Sequence, residues 1–424
     1  MGRTSFRFGC VVATLALLGG AAAAAEEPLP GANVEGLLVL ARARNPDYAA
    51  MLREADAADE RGVAAGALPD PRLRAELMDV TRGGTQNPTP LPARAGSTRY
   101  TLMQELPWFG KRDLKREIAE LEAQGVRSRA TTTWNEVAAR IKTAYAQSYY
   151  LAASEILDRE ILDLNGRLER IAQARYASGL AAQQDVIRAQ VEQTAMRNEL
   201  ISVETERHHM HARLNALLRR PAGAPLAAPE RLRPLPAPAR LDFAALEERA
   251  RARNPGIFAE EARLQAAEKS RDLAYRNRYP DVTVGVAPNQ FQNSVRQWDL
   301  MVEVNIPLQQ ATRRAQEREA DALLEASRAR KEAMTNQVLA DLAENLAALD
   351  AARRAEALAN DSLLPQAELT FKAALAGYEN GKVDFATLLD AQRQIRQARL
   401  NRIRAQAEGQ VRLADIERIV GEDL

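Results

Sequence analysis

The sequence predicts a mainly helical chain with membrane β-structure, in which one unit is used twice: helix, β-hairpin, then a very long α-hairpin. Three observations predict it. First, ARARNP at Ala41–Pro46 recurs letter for letter at Ala250–Pro255. In the same order Pro107 is matched by Pro307, Tyr176–Gly179 by Tyr378–Gly381, and Ala189-Gln190 by Ala391-Gln392. Ordered landmarks at a spacing of roughly 200 residues mark a duplicated unit. Second, Lys111–Tyr176 contains no proline and is far longer than an ordinary globular helix. Third, two pairs of short alternating segments precede the long helical runs.

Composition narrows the function. The 424 residues include 58 basic and 57 acidic side chains, so no basic excess supports nucleic-acid binding. Met1–Ala25 has the form of a secretory signal: Arg3 and Arg7, an apolar stretch Phe8–Gly20, then small residues Ala21–Ala25 before Glu26. A retained anchor is the alternative. Cys10 is the single cysteine and sits near the start of that stretch, where a lipid-bearing cysteine would follow it. The mature chain is therefore expected to carry no disulfide, as a large self-sufficient envelope protein can. No other run of eighteen apolar residues exists, so spanning a membrane would require a closed β-barrel.

The elements follow in order. Val34–Gly66 has helical apolar spacing and is ended by Pro69 and Pro71. Arg72–Val80 alternates, with Leu73, Ala75 and Leu77 on one face; Thr81–Gly96 is a Gly/Pro/Asn-rich loop; Thr98–Leu106 alternates back, with Gln104 interrupting its apolar side. In the second copy Val282, Val284 and Val286 share a face. The loop Pro288–Arg296 follows, then Leu300, Val302, Val304 and Ile306 opposite Met301, Glu303 and Asn305. Apolar-out, polar-in strands of this length suit an outer-membrane barrel; a two-sided soluble hairpin fits the pattern equally well.

Within the first long run Leu157, Ile161, Leu164, Leu168 and Ile171 form a coiled-coil seam. A second helix runs from the Gly179 turn to about Leu218 with the same rhythm, Arg207 occupying one seam position. The second copy repeats this from about Thr312 to Tyr378, kinked at Pro365, and from Phe385 to Val420. Pro221–Arg240 carries six prolines and reads as an extended joint. The division is thus 1–25 signal, 26–220 first repeat, 221–240 linker and 241–424 second repeat. Four strands cannot close a barrel, so several chains must share one; three would give twelve strands and twelve long helices. Two are not excluded by counting.

At this point the chain resembles the TolC-like outer membrane efflux proteins over nearly its whole mature length. The resemblance rests on the duplication, the strand–Pro–helix step, and the turns RYASGLAAQQDVIRAQ (Arg175–Gln190) and GYENGKVDFATLLDAQ (Gly377–Gln392). LPWFGKR at Leu106–Arg112 is similar to the heavy-metal, CzcC- and CusC-like branch. The resemblance implies a homotrimeric duct in the outer membrane lipid, extending into the periplasm. It also implies a periplasmic adaptor and an inner-membrane, proton-driven RND-type pump as partners. No cofactor or catalysis is implied.

Site residues follow from the same resemblance. Asp390 matches an acidic ring at the narrowest point of the periplasmic gate; Thr387 stands where a second ring is expected. Asp185 and Tyr378 match link residues on the two hairpins. The basic member of the link falls on Val383, with Lys382 or Asp384 as substitutes. Gly179 and Gly381 are expected at positive φ, and the tips bearing Leu180 and Val383 would dock an adaptor. Trp108 and Phe109 suit either an aromatic girdle or a strand–helix corner. His208 and His211 share a helix face and are weak metal candidates, since two ligands make an incomplete site. No nucleophile–base set or phosphate loop is present. The rival readings are a periplasmic coiled-coil adaptor or scaffold without a pore, and a metal-binding protein built on the histidines.

Overall fold

The repeated Asn-Pro step is a joint. In the computed structural model, which describes residues 29–80, 92, 95–291 and 294–424, the expected single helix Val34–Gly66 is two: α1 (Val34–Arg44) and α2 (Pro46–Gly66). Pro46 lacks an N–H and its ring forces Asn45 out of the helical region, to φ −64° and ψ 124°. The Asn45 side chain then caps α2 by accepting from the Tyr48 N–H at 3.0 Å, and donates to the Leu217 carbonyl at 3.0 Å. The second copy does the same between α5 (Phe243–Arg253) and α6 (Pro255–Arg276). Asn254 accepts from the Gly256 and Ile257 N–H groups and donates to the Ile419 carbonyl at 2.7 Å. ARARNP therefore recurs because each copy staples a helix break to the end of its last long helix. The predicted leader Met1–Ala25 and most of the loop Thr81–Gly96 lie outside the described residues.

β1 (Arg72–Met78), β2 (Ser97–Leu106), β3 (Asp281–Phe291) and β4 (Ser294–Asn305) form one antiparallel sheet in that order, so the two copies meet at β2–β3. The predicted loop Pro288–Arg296 is mostly strand: Asn289 pairs with Gln297 and Gln290 with Val295 across a bulge. Its polar residues misled the reading because they belong to the polar face, where Asn289 bonds Asp299 and Arg99. On the opposite face Leu73, Leu102, Val286 and Leu300 stand side by side across all four strands. They are 71%, 55%, 46% and 76% exposed, a continuous apolar row that none of the described residues covers. Gln104, the one polar intruder, turns its amide to the Pro69 carbonyl at 2.7 Å. β1 and β4 are open edges.

α3 (Lys111–Ala177) runs 67 residues, roughly 100 Å, and returns as α4 (Gln183–Leu217). In the second copy α7 (Gln310–Leu358) passes through a π-helical turn, Ala359–Leu363, into α8 (Leu364–Glu379), and returns as α9 (Phe385–Val420). The π turn lies immediately before Pro365 and is how the chain absorbs its missing N–H. Such rods need lateral partners. Leu157, Ile161 and Leu168 of the predicted seam are buried, packed with Met196, Ile395, Ile403, Phe385 and Leu388. Arg207, the charged seam residue, is neutralised by the buried Glu155 at 2.6 Å. Among the described residues no helix is long and apolar enough to cross a membrane.

The staple gives a stability prediction. Asn254→Ala loses a cap, about 1 kcal/mol, and leaves the Ile419 carbonyl without its donor in the interior, about 1–3 kcal/mol more. Asn33→Ala removes an exposed cap alone, from the Gly36 N–H. The expected result is a clearly larger fall in Tm, followed by helical circular dichroism, for Asn254→Ala than for Asn33→Ala.

Candidate functional site: the hairpin tips and their links

Both tips reverse through a glycine at φ +70°, Gly179 and Gly381, as the sequence predicts. Each turn closes with the same bonds: Leu180 N–H to Arg175 carbonyl and Lys382 N–H to Gly377 carbonyl, both 2.8 Å. The two tips then differ. Leu180 is 66% exposed, whereas Val383 folds back onto the cluster around Phe385 and Tyr378.

The structure brings Tyr378 and Asp185 together. The Tyr378 ring is buried against Phe385, and its hydroxyl donates to Asp185 Oδ2 at 3.4 Å. Burial, then the Asp185 charge, push the Tyr378 hydroxyl up to about 12. Asp185 sits in the first turn of α4, where a helix N-terminus favours a carboxylate.

The basic partner is one that sequence reasoning missed. Arg175, at the end of α3, lies over the Tyr378 ring at 4.9 Å. It donates to the Glu379 carbonyl at 2.5 Å and to the Leu180 carbonyl at 3.3 Å, so one guanidinium clasps both turns. The substitutes proposed from sequence do not fill that place. Asp384 accepts from the Thr387 N–H at 2.9 Å and hydroxyl at 2.5 Å, which caps α9 and holds its carboxyl below the usual range. Lys382 makes no ion pair among the described residues. Arg175 stands inside the turn motif, and only its placement opposite the second tip reveals its part.

Asp390 is exposed on α9, 3.5 Å from Arg393. Arg393 in turn grips Glu192 of α4 through two bonds, 3.2 and 2.6 Å. Three residues on, Arg396 reaches the buried Asp158 at 2.7 Å and Glu199 at 3.2 Å; Arg399 then reaches Glu160 at 3.2 Å. An arginine ladder on α9 therefore ties the second α-hairpin to the first. It was not read from the sequence, because arginines three apart on a helix look like an ordinary solvated stripe.

At the other end Trp108 and Phe109 part company. Trp108 stacks its ring on Tyr279 at 5.3 Å and its backbone N–H donates to Asp281 Oδ1, which makes it a corner residue. Phe109 is 83% exposed. Gly110 turns between them and α3 at φ +77°, where the Arg276 guanidinium occupies the space a side chain would need. His208 and His209 are exposed, with Glu204 4.0 Å from His208 and Glu206 3.9 Å from His209. Burial, then the neighbouring Arg207 charge, push His211 down. Among the described residues no three His, Cys, Asp or Glu side chains gather around a common point. His208 and His211 thus remain a two-ligand pair beside a guanidinium.

The family model described as outer membrane efflux protein matches residues 37–219 and 246–422. The cobalt-zinc-cadmium resistance protein CzcC of Cupriavidus metallidurans is 25% identical over 396 residues, 92% of this chain and 90% of its own. Crystal structures of CusC superpose with a TM-score of 0.80 at 17% identity, covering 92% of both chains. The outer membrane protein VceC of Vibrio cholerae superposes with a TM-score of 0.77 at 17% identity, covering 92% of this chain and 96% of that one. At such identities the superpositions establish the fold.

The tip contacts are testable without a partner. Arg175→Gln and Tyr378→Phe should each raise the rate of chymotryptic cleavage near Leu180 several-fold. Because the Tyr378 hydroxyl is raised above its unfolded value of about 10, its contribution is complete below that value and is lost as pH climbs through about 12. The ratio of wild-type to Tyr378→Phe rates should therefore stay flat from about pH 7 to 9. A slope there would remove the hydroxyl from the contact.

Proposed function

This chain belongs to the outer membrane efflux protein family, and from that premise we propose that three copies close one shared duct. β4 of each chain pairs with β1 of the next, giving a twelve-stranded barrel in the outer membrane. The α-hairpins continue it as a helical tunnel through the periplasm. The observation that carries this reading is the sheet itself: an apolar row exposed across all four strands, with two unpaired edges. Lipid accepts the first and no monomer satisfies the second, since each unpaired backbone group in hydrocarbon costs several kcal/mol. From Trp298 to Ile306 the outward face runs about 27 Å along the strand, or about 20 Å of height at the tilt usual in such barrels, most of their apolar band. Phe109 stands at its inner rim. A periplasmic scaffold would have no use for such a face.

The duct catalyses nothing and takes its energy from an inner-membrane RND-type pump. The pump is joined through a periplasmic adaptor that grips the tips at Gly179, Leu180, Gly381 and Val383. The two repeats, 26–220 and 241–424, supply alternate hairpins of the tunnel, and the Pro-rich linker 221–240 lets them sit side by side. Asp390 from three chains forms the acidic ring of the gate, with Tyr378–Asp185 and Arg175 holding the hairpins closed. Divalent heavy-metal cations are the proposed cargo, supported by the name of the cobalt-zinc-cadmium relative and by the sign of that ring.

The mature protein in mild detergent should have the mass of a trimer; a stable monomer would return the chain to the scaffold reading. In planar bilayers Asp390→Asn should reduce the pore's cation selectivity and weaken its block by trivalent cations. Unchanged selectivity would remove Asp390 from the gate.

A further inference from the structure

α2, α3, α6 and α7 lie side by side in one layer, and a cavity of about 480 Å³ touches all four. A cavity shared by four helices of a single layer lies on its concave side. Arg61 of α2, Arg129 of α3, Arg263 of α6 and Arg330 of α7 line it from one side to the other, against only Glu122 and Glu260. The rest of its lining is mostly alanine, glycine and serine, with Leu121, Val126 and Leu323. Arg263 is 3.9 Å from Glu260; among the described residues Arg61, Arg129 and Arg330 have no ion pair or side-chain hydrogen bond.

The convex side of the same layer is built differently. There Asp59 pairs with Arg127 at 2.6 Å, Glu117 with Lys269 at 2.7 Å, Glu261 with Lys331, and Glu268 with Arg328 at 3.9 Å. Each pair joins two neighbouring helices. One face of the layer thus spends its charges on holding helices together, while the other leaves a positive excess facing open space. Arginine is the residue whose planar fork matches carboxylate and phosphate oxygens. We infer that this groove is a binding site for small multivalent anions bearing carboxylate or phosphate groups, one per chain. This placement rests on the duct reading, in which the concave face is the lumen wall and three grooves form a basic belt between barrel and gate.

The belt is independent of the acidic ring. Asp158 lies against Arg396, so Asp390 lies below that pair, and roughly 35 residues of α3, about 50 Å, separate it from Arg129. That is several Debye lengths at physiological ionic strength.

The test uses inorganic pyrophosphate with the full mature protein in detergent. Calorimetry should give one site per chain. Affinity should fall about tenfold or more in the Arg61→Gln/Arg129→Gln/Arg330→Gln variant and stay unchanged in Arg127→Gln, on the paired convex face. No binding by the wild type, or equal binding by the triple variant, overturns the site. Pyrophosphate added on the barrel side of a bilayer should also reduce the wild-type current more than that of the triple variant. Binding with a normal, unblocked current overturns the lumenal placement. Binding by a protein that passes no current at all upholds the anion site and overturns the duct reading instead.

Discussion

Two rows of unpaired backbone, one along β1 and one along β4, govern this molecule. In water an open edge is a liability that proteins blunt with charges, bulges or short strands. Here β4 is twelve residues long and carries Trp298, Leu300, Val302 and Val304 on its exposed face. The one bulge in its pairing with β3 lies at Asn289/Gln290, toward the hairpin tip. Among the described residues no element covers that edge, and Asp299 and Glu303 lie on the strand's other face; on the duct reading it must be paired with another strand. Four strands from one chain are too few to close a membrane barrel, so it is the backbone edges, rather than any side-chain interface, that call for strands from another chain.

The helices obey the same constraint in weaker form. α3 is flanked by α4 and α9, and α9 by α7 and α8, which leaves α4 on one side of the layer and α7–α8 on the other. Exposed apolar side chains gather on those outer helices: Ile187, Val191 and Ile201 on α4, Leu358 on α7, Leu369 on α8. Within the chain the contacts between the two α-hairpins are ionic as well as apolar. Glu192, Asp158 and Glu160 each answer an arginine of α9. Truncating one partner of such a pair leaves a charge stranded. The ladder runs beside the apolar seam of Leu157, Ile161 and Leu168 against Ile395 and Leu388, and at the tip the Tyr378–Asp185 and Arg175 contacts are added to the Phe385 cluster.

Much of this was legible before any coordinates. The long helices announced themselves by the absence of proline and by their seam. Both tip glycines, and the ends of α4 and α9, fell where the sequence placed them. What was misread shares one physical feature: a residue type serving a role its local pattern does not advertise. Asn45 ends one helix and begins the next, so apolar spacing continues across the break. Asn289 and Gln297 look like loop but pair across β3–β4. Asp384 looks like a latch and is a cap. Arg175 looks like a solvated helix end and clasps two turns. Periodicity reports which face a side chain occupies; it does not report what stands opposite.

The same limit applies to charge. The chain is almost neutral overall, with 58 basic and 57 acidic residues, which gives no support to a nucleic-acid partner and conceals how the charges are sorted. On the convex face of the upper helical layer they alternate between neighbouring helices and cancel. On the concave face arginines outnumber glutamates four to two within a single groove. Cancelled pairs on an exposed surface contribute little to stability individually, so their sorting is not explained by folding alone. A wall that must line a water-filled tunnel has a reason to keep one sign: fixed charges with low-dielectric walls behind them focus their field into the solvent they face. On the duct reading, solutes would meet Asp390 near the periplasmic tip and the arginine groove about 50 Å further on. The two levels can act on different solutes because salt screens each from the other.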